Sequence, residues 1–177
     1  MGDKEAILEV VSDLKKEGFN LNLEGTLEDY LSCEITFNKN ESVAWIHQPH
    51  LITKINKKFG PMVEKLQKYN TPGSPGEGIL RNPGSVIDKG KHADYRSGVG
   101  MLLFLVKHTR PDIANSVREL SKALGSPSPA AYKGLLRLLK YVLDTRNLAI
   151  KIEPKPFDDG CKWEMICFSD SNFAGNL

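Results

Sequence analysis

Residues 95–121 read YRSGVGMLLFLVKHTRPDIANSVRELS and contain a long apolar pattern. Apolar residues recur at helical spacing on both sides of a sharp joint at residues 109–112, which predicts two consecutive helices. The predicted apolar face before the joint contains Val99, Leu102, Leu103 and Val106, widened by Phe104 and Leu105, and the one after it contains Ile113, Val117, Leu120 and Leu124. This pattern alone fits a helical hairpin in any globular core.

The residues at the joint explain why one helix ends and another begins there. Pro111 lacks an N–H, so it disfavours continuing the first helix but fits the first turn of the second. Thr109 is expected to cap the free N–H groups of the second helix. The carboxylate of Asp112, three residues after Thr109, is expected to accept a hydrogen bond from the backbone N–H of Thr109. Its negative charge is also favourable near the positive N-terminal end of that helix.

Short motifs follow one another in order along the chain. Tyr95-Arg96-Ser97, Val99-Gly100 and the TRPDI run at 109–113 are followed by Pro127, Tyr132, Arg137, Leu139, Tyr141 and Thr145, and then by FSDSNFAG at 168–175. Together they closely resemble the C-terminal part of the reverse transcriptase of copia-type LTR retrotransposons. The second group follows that family's P…W…R-x-L-R-Y-L-x-x-T pattern, and the last is similar to the YSDADWAG opening of its ribonuclease H.

The resemblance implies an α+β fold with three parts: a β-hairpin from the end of the palm, a thumb-like helical body, and the first strands of a ribonuclease H-like domain. Residues 1–46 would be the end of the palm, with a primer-grip-like hairpin. Residues 47–147 would be the helical region, including a Pro/Gly-rich connector at 70–90. Residues 148–177 would be the truncated start of ribonuclease H.

Periodicity and turn chemistry predict the remaining elements from the residues themselves. The predicted helices cover residues 3–18, 48–59 (ended by Gly60-Pro61) and the stretch from Ser128 to Leu143, and the predicted strands cover 30–35, 42–46, 148–152 and 162–168. The polar turn at 38–41 makes the first two strands a hairpin.

The resemblance assigns a role to the first strand of that hairpin. Leu31, Ser32, Cys33 and Glu34 match the family's FLG-x-E-I primer grip, which holds the primer 3′ end toward the catalytic metals. Ser32 stands where the family usually has Gly. If that Gly serves close approach to a sugar-phosphate, Ser32 weakens the grip. The alternative is an ordinary solvent-facing hairpin.

Basic residues concentrate on the third helix of the body. Between residues 131 and 151 there are five basic residues and one acidic residue, whereas the segment from 157 onward is acidic. Lys133, Arg137 and Lys140 lie three or four residues apart and largely off the apolar stripe, so they form a predicted basic edge for phosphate contacts. A solvated helix face is an equally good interpretation.

Asp170 is the predicted catalytic and metal-binding residue. It follows the last predicted strand, and the resemblance places it among the carboxylates of ribonuclease H. Mg²⁺ prefers oxygen ligands, and two-metal hydrolysis of RNA needs several converging carboxylates. Asn172 stands where the family often has a second Asp, so the site is incomplete. The alternative is a turn carboxylate.

Composition argues for an intracellular globular protein and against a disulfide-rich, zinc-binding or membrane protein. The chain has 177 residues, 40% of them hydrophobic, which suffices for one core of ordinary size, and a formal net charge of +2. Its three cysteines lack disulfide or zinc spacing, so reduced thiols are expected. No apolar run is long enough for a membrane span, and the N-terminus has no signal-peptide pattern. The expected location is intracellular, in the cytoplasm or nucleus.

These observations lead to one functional interpretation and one rival. The chain would be a fragment of a retrotransposon RNA-directed DNA polymerase with ribonuclease H. It would bind RNA–DNA hybrid or template–primer duplex, contact the rest of the polyprotein and use Mg²⁺. The polymerase motif Tyr-x-Asp-Asp is absent from the sequence, so the fragment alone is expected to be inactive in polymerisation. The rival is a non-functional structural remnant with no ligand.

Overall fold

The computed structural model describes residues 4–21, 29–30, 32–40, 42–73 and 86–153, which contain both helices and a sheet. The elements are α1 (Lys4–Lys16), β1 (Asp29–Tyr30), β2 (Cys33–Phe37), β3 (Ala44–His47), α2 (Pro49–Val63), α3 (Lys89–His108), a 3-10 turn (Pro111–Ile113), α4 (Ala114–Ser121), α5 (Pro129–Asp144) and β4 (Ile150–Ile152). The assignment of these elements to palm, thumb and ribonuclease H stays a prediction.

The core lies among α2, α3, α4 and α5, and the periodicity located most of it. Six of the residues assigned to the two apolar faces are fully or almost fully buried: Val99, Leu102, Leu105, Ile113, Val117 and Leu120. Leu103 and Phe104 were assigned to the same face, and this was wrong, because they are 45% and 42% exposed. A Cβ at Gly98 would lie 3.0 Å from Leu135, so Gly98 permits close packing of α3 on α5.

The joint after α3 is built differently from the expectation. Thr109 does not cap the next helix; its N–H donates to the carbonyl of Leu105, and its hydroxyl donates to Oε1 of Gln48 at 2.8 Å. The residues that precede the 3-10 turn and α4, Arg110 and Ile113, make no side-chain capping hydrogen bond. Thr109 therefore connects the end of α3 to the start of α2, since a buried hydroxyl must find a partner wherever the packing offers one.

Arg110 is the centre of the joint, with a side chain only 1% exposed. Its Nε and Nη2 both lie 2.9 Å from the carboxylate of Asp112, and Nη2 also donates to Oγ1 of Thr145 at 2.8 Å. Nη1 donates to the carbonyl of Thr145, and the Tyr141 hydroxyl donates to Asp112 at 3.2 Å. Asp112 thus pairs with Arg110 rather than returning a bond to Thr109, and the joint is fastened to the end of α5.

The charge of Arg110 also sets the ionisation of Asp112. Burial raises the pKa of this carboxyl, but the hydrogen bonds and positive charge of Arg110 outweigh that effect and hold the pKa below its usual range. The Tyr141 hydroxyl is affected oppositely: burial, then the negative charge of Asp112, raise its pKa. Asp112 is therefore ionised and Tyr141 neutral at physiological pH.

The sheet has the antiparallel order β1-β2-β3-β4. The predicted hairpin is confirmed, with β2 and β3 paired from Glu34↔His47 to Phe37↔Ala44. The first predicted strand, 30–35, is not one strand, because Tyr30 in β1 pairs antiparallel with Cys33 in β2. The predicted strand near residue 150 is also present, and it pairs with β3 through Ile46↔Ile150. Residues 150–152 therefore belong to the same sheet as the hairpin.

The predicted end of α2 was wrong. Gly60 and Pro61 do not stop this helix, which continues to Val63 with Pro61 inside it. A proline inside a helix costs about 3 kcal/mol or more. Phe59 and Val63, four residues apart, are 0% and 2% exposed, so burial of one continuous face offsets that cost.

Candidate nucleic-acid interface

The predicted basic edge lies on α5, whose start matches the expectation. The Ser128 side chain accepts a hydrogen bond from the N–H of Ala131, and Pro129 occupies the first turn. Leu135, Leu138, Leu139 and Val142 are fully buried, so the opposite side of the helix is turned away from the core. Helix α5 thus brings the three predicted basic residues to one side of the bundle.

Arg137, in the middle of that edge, does not face solvent as expected. Its guanidinium lies over the ring of Tyr69, with 4.1 Å between Cζ and the ring centroid. Its Nη2 donates to the carbonyl of Gly73 at 3.2 Å and to Oγ1 of Thr71 at 3.4 Å. Its Nε is buried without a hydrogen-bond partner among the described residues. Arg137 therefore binds the start of the Pro/Gly-rich connector, which the sequence pattern could not show.

Lys140 is also occupied within the protein. Its Nζ lies 3.0 Å from Oδ1 of Asp144, and the two side chains are 17% and 20% exposed. The pair borders a cleft of about 560 Å³ between α2 and the end of α5, which Asn56, Glu64 and Arg146 also line. Of the three residues of the predicted edge, Lys133 is the one exposed cation without a partner among the described residues. Nucleic-acid binding by this edge stays a prediction.

A second surface, which the sequence pattern did not identify, lies on α3. Arg96, Gly100, Leu103, Phe104 and Lys107 are all exposed and recur every three or four residues, and we call them the α3 face. A Cβ added at Gly100 would have no atom of the described residues within 4 Å, so the backbone there is open to an approaching molecule. No acidic residue follows Asp94 in this helix, and Asp94 is paired with Lys58 at 3.2 Å.

The chemistry of the α3 face combines charge and aromatic surface. Phe104 is 42% exposed, and the His108 ring packs against it with 4.4 Å between centroids. Nδ1 of His108 lies 2.9 Å from the carbonyl of Phe104, a contact that requires the proton on Nδ1. Cations beside aromatic rings are a common surface for nucleic acids, because phosphates and base or sugar faces are both accommodated.

The predicted primer-grip residues fall at the first turn of the sheet. Ser32 is exposed and has φ of 63°, the left-handed conformation that Gly adopts without cost. Cys33 is buried, and Oε1 of Glu34 lies 3.7 Å from Nε2 of His47. Leu31 lies outside the described residues. The backbone conformation gives a local reason for a Gly at this position, independent of any ligand.

Asp170, the predicted catalytic and magnesium-binding residue, also lies outside the described residues. Within the described ranges, no group of three or more His, Cys, Asp or Glu side chains is placed to hold a metal ion. The predicted Mg²⁺ site therefore stays a prediction.

The helices in the described part of the chain can be compared with the length and hydrophobicity that a membrane span needs. None of its helices is both long enough and apolar enough to cross a bilayer.

Comparison with known proteins shows similarity to transposon polyproteins. The chain is 26% identical over 147 residues, 81% of its length, to the retrovirus-related Pol polyprotein from transposon TNT 1-94 of Nicotiana tabacum. It is 32% identical over 83 residues to the retrovirus-related Pol polyprotein from transposon RE1 of Arabidopsis thaliana. The aligned segments make up 11% and 5% of those polyproteins. The chain thus resembles a small part of a transposon Pol polyprotein.

A shorter protein is also similar. The chain is 30% identical over 87 residues to secreted RxLR effector protein 161 of Plasmopara viticola, and the match covers 58% of that protein. No protein-family model matches the chain. No solved structure shows a significant match.

Proposed function

We propose that this chain is a fragment of a retrotransposon Pol polyprotein, from the reverse transcriptase and ribonuclease H region, and that it binds the template–primer duplex. The similarity to two plant transposon polyproteins supports the origin from a Pol polyprotein, and the motifs between residues 95 and 175 resemble the reverse transcriptase and ribonuclease H region. The α3 face supports binding of the template–primer duplex, because it presents cations and an aromatic ring around an open glycine. Polymerisation, RNA cleavage and use of Mg²⁺ belong to the whole polyprotein in this proposal.

The dimensions of the α3 face suit a duplex. Arg96 and Lys107 are eleven residues apart, which is roughly 16 Å along a helix. An RNA–DNA hybrid presents a wide, shallow minor groove edged by phosphates. Arg96 and Lys107 would contact phosphates on its two sides, and Gly100 would let the sugars approach the helix backbone. Leu103 and Phe104 would pack on the sugars between them.

The test measures binding of a fluorescent RNA–DNA hybrid to the whole chain at several salt concentrations. Reversing Arg96 and Lys107 to Glu should raise the Kd at least tenfold and lower the salt slope by roughly two contacts, about 1.8 in log–log terms. The matched control reverses two exposed lysines on other helices, Lys15 and Lys54, and so changes net charge equally. It should retain the wild-type slope.

Two results would contradict the proposal. If the Arg96/Lys107 variant binds like the Lys15/Lys54 control, the α3 face is not the interface. If the wild-type chain does not bind hybrid even at about 50 mM salt, where phosphate contacts are strongest, the chain is a structural remnant without a nucleic-acid ligand.

A further inference from the structure

Arg137 is held by partners that satisfy it only in part. The carbonyl of Gly73 and the hydroxyl of Thr71 are neutral acceptors, at 3.2 and 3.4 Å from Nη2. Charge-assisted hydrogen bonds are usually shorter, about 2.7–2.9 Å, and roughly twice as strong. Nε is buried and has no partner among the described residues. A guanidinium in this state retains donors that a phosphate could use better than the present acceptors do.

The segment that covers Arg137 contacts it through one aromatic ring and two neutral acceptors. We call residues 69–73 the strap. Tyr69 lies against the guanidinium, Thr71 donates to the carbonyl of Gly73 within the strap, and a Cβ at Gly73 would lie 3.0 Å from Oγ of Ser116. Thr71 is exposed, while Tyr69 and Gly73 are half-buried. Displacing the strap would therefore break the stacking contact and two weak hydrogen bonds to Arg137.

We propose that the strap occupies Arg137 in the free protein and that a phosphate of a bound duplex displaces it. The inference rests on the proposed nucleic-acid function and adds a regulated contact to it. Lys133, exposed and one helical turn before Arg137, supplies the first charge to which a backbone phosphate is drawn. A phosphate then accepts two hydrogen bonds from the guanidinium, which planar arginine offers and neutral oxygens at separate positions do not match.

The experiment removes the strap's ring and measures hybrid binding by fluorescence anisotropy at several salt concentrations. Tyr69→Ala should free Arg137, lower the Kd about three- to tenfold and steepen the salt slope by about 0.9, the value of one additional phosphate contact. Tyr69→Phe is the matched control, because Arg137 contacts the face of the Tyr69 ring, which phenylalanine retains. This variant should bind hybrid as the wild type does. The double variant Tyr69→Ala/Arg137→Gln should lose the gain.

The outcomes separate the strap from the proposed function. If the wild type binds hybrid and Tyr69→Ala binds no more tightly, displacement of the strap is rejected, while duplex binding by the protein is retained. If neither protein binds, the proposed function fails and the strap with it. Far-UV circular dichroism of each variant confirms that the helices are intact.

A measurement on the wild-type protein covers the case in which Tyr69→Ala does not fold. Chymotrypsin cleaves after exposed aromatic residues, and Tyr69 is half-buried under Arg137 in the free protein. Addition of hybrid should increase cleavage after Tyr69. Unchanged or reduced cleavage in a sample that demonstrably binds hybrid would overturn the strap.

Discussion

The guanidinium groups of Arg110 and Arg137 are both held by contacts within the protein, but their hydrogen-bond partners differ. Arg110 is paired with a carboxylate by two hydrogen bonds of 2.9 Å and makes two more to Thr145. Arg137 has an aromatic ring and two neutral acceptors. A buried charge is tolerated when it is paired and fully hydrogen-bonded. The first arginine therefore serves the fold, and the second keeps an unused capacity for a ligand.

The largest expected effect comes from removing the fully satisfied arginine. Arg110→Met should destabilise the protein by about 2–4 kcal/mol, because it removes the hydrogen bonds to Asp112 and Thr145 that a guanidinium only 1% exposed makes. Urea denaturation followed by circular dichroism measures the change. Arg118→Met, at an exposed position on α4, is the control and should change stability by less than about 0.5 kcal/mol. Equal midpoints for the two variants would show that the Arg110 network contributes little.

The second expected effect is a dependence on pH. Because the folded pKa of Asp112 lies below its ordinary value, the carboxylate contributes stability above pH of about 4, and this is lost as pH falls through the folded pKa. Unfolding free energies of wild type and Asp112→Asn, measured from pH 6 down to pH 2, should therefore converge toward the acid end. A constant difference across the range would contradict the pairing of Asp112 with Arg110.

The contrast also shows what sequence can predict. Pro111 placed the joint, Ser128 and Pro129 placed the start of α5, and the polar turn at 38–41 placed the hairpin, because each signal acts on neighbouring residues. The distant partners of the two arginines were not predictable in this way, whereas Asp112 lies only two residues from Arg110. Arg110 meets Thr145 and Arg137 meets Gly73 across long sequence separations. Only the packing of helices determines such pairs.

The same distinction explains the candidate site. Lys133, Arg137 and Lys140 all lie in α5, where their spacing of three and four residues puts them on one side of the helix. Which of them remains free depends on Tyr69 and Asp144, whose positions the tertiary structure sets. Conversely, Leu103 and Phe104 were assigned to the core because they are apolar. Leu103 belongs to the recurring series 96–100–103–107, and Phe104 lies four residues after Gly100. This spacing was the signal that could have revealed the α3 face.

The smallest expected effect comes from the other arginine. Arg137→Met keeps an unbranched apolar stem over Tyr69 and loses two long hydrogen bonds to neutral acceptors. Each such bond contributes about 0.5–1.5 kcal/mol at most, and removing the unpartnered buried Nε offsets part of the loss. The free energy of unfolding should therefore change by less than about 1 kcal/mol. The same denaturation assay that measures Arg110→Met measures this variant, and the two should differ severalfold. A loss as large as that of Arg110→Met would mean that Arg137 is structural, and would remove the reason to expect a phosphate in its place.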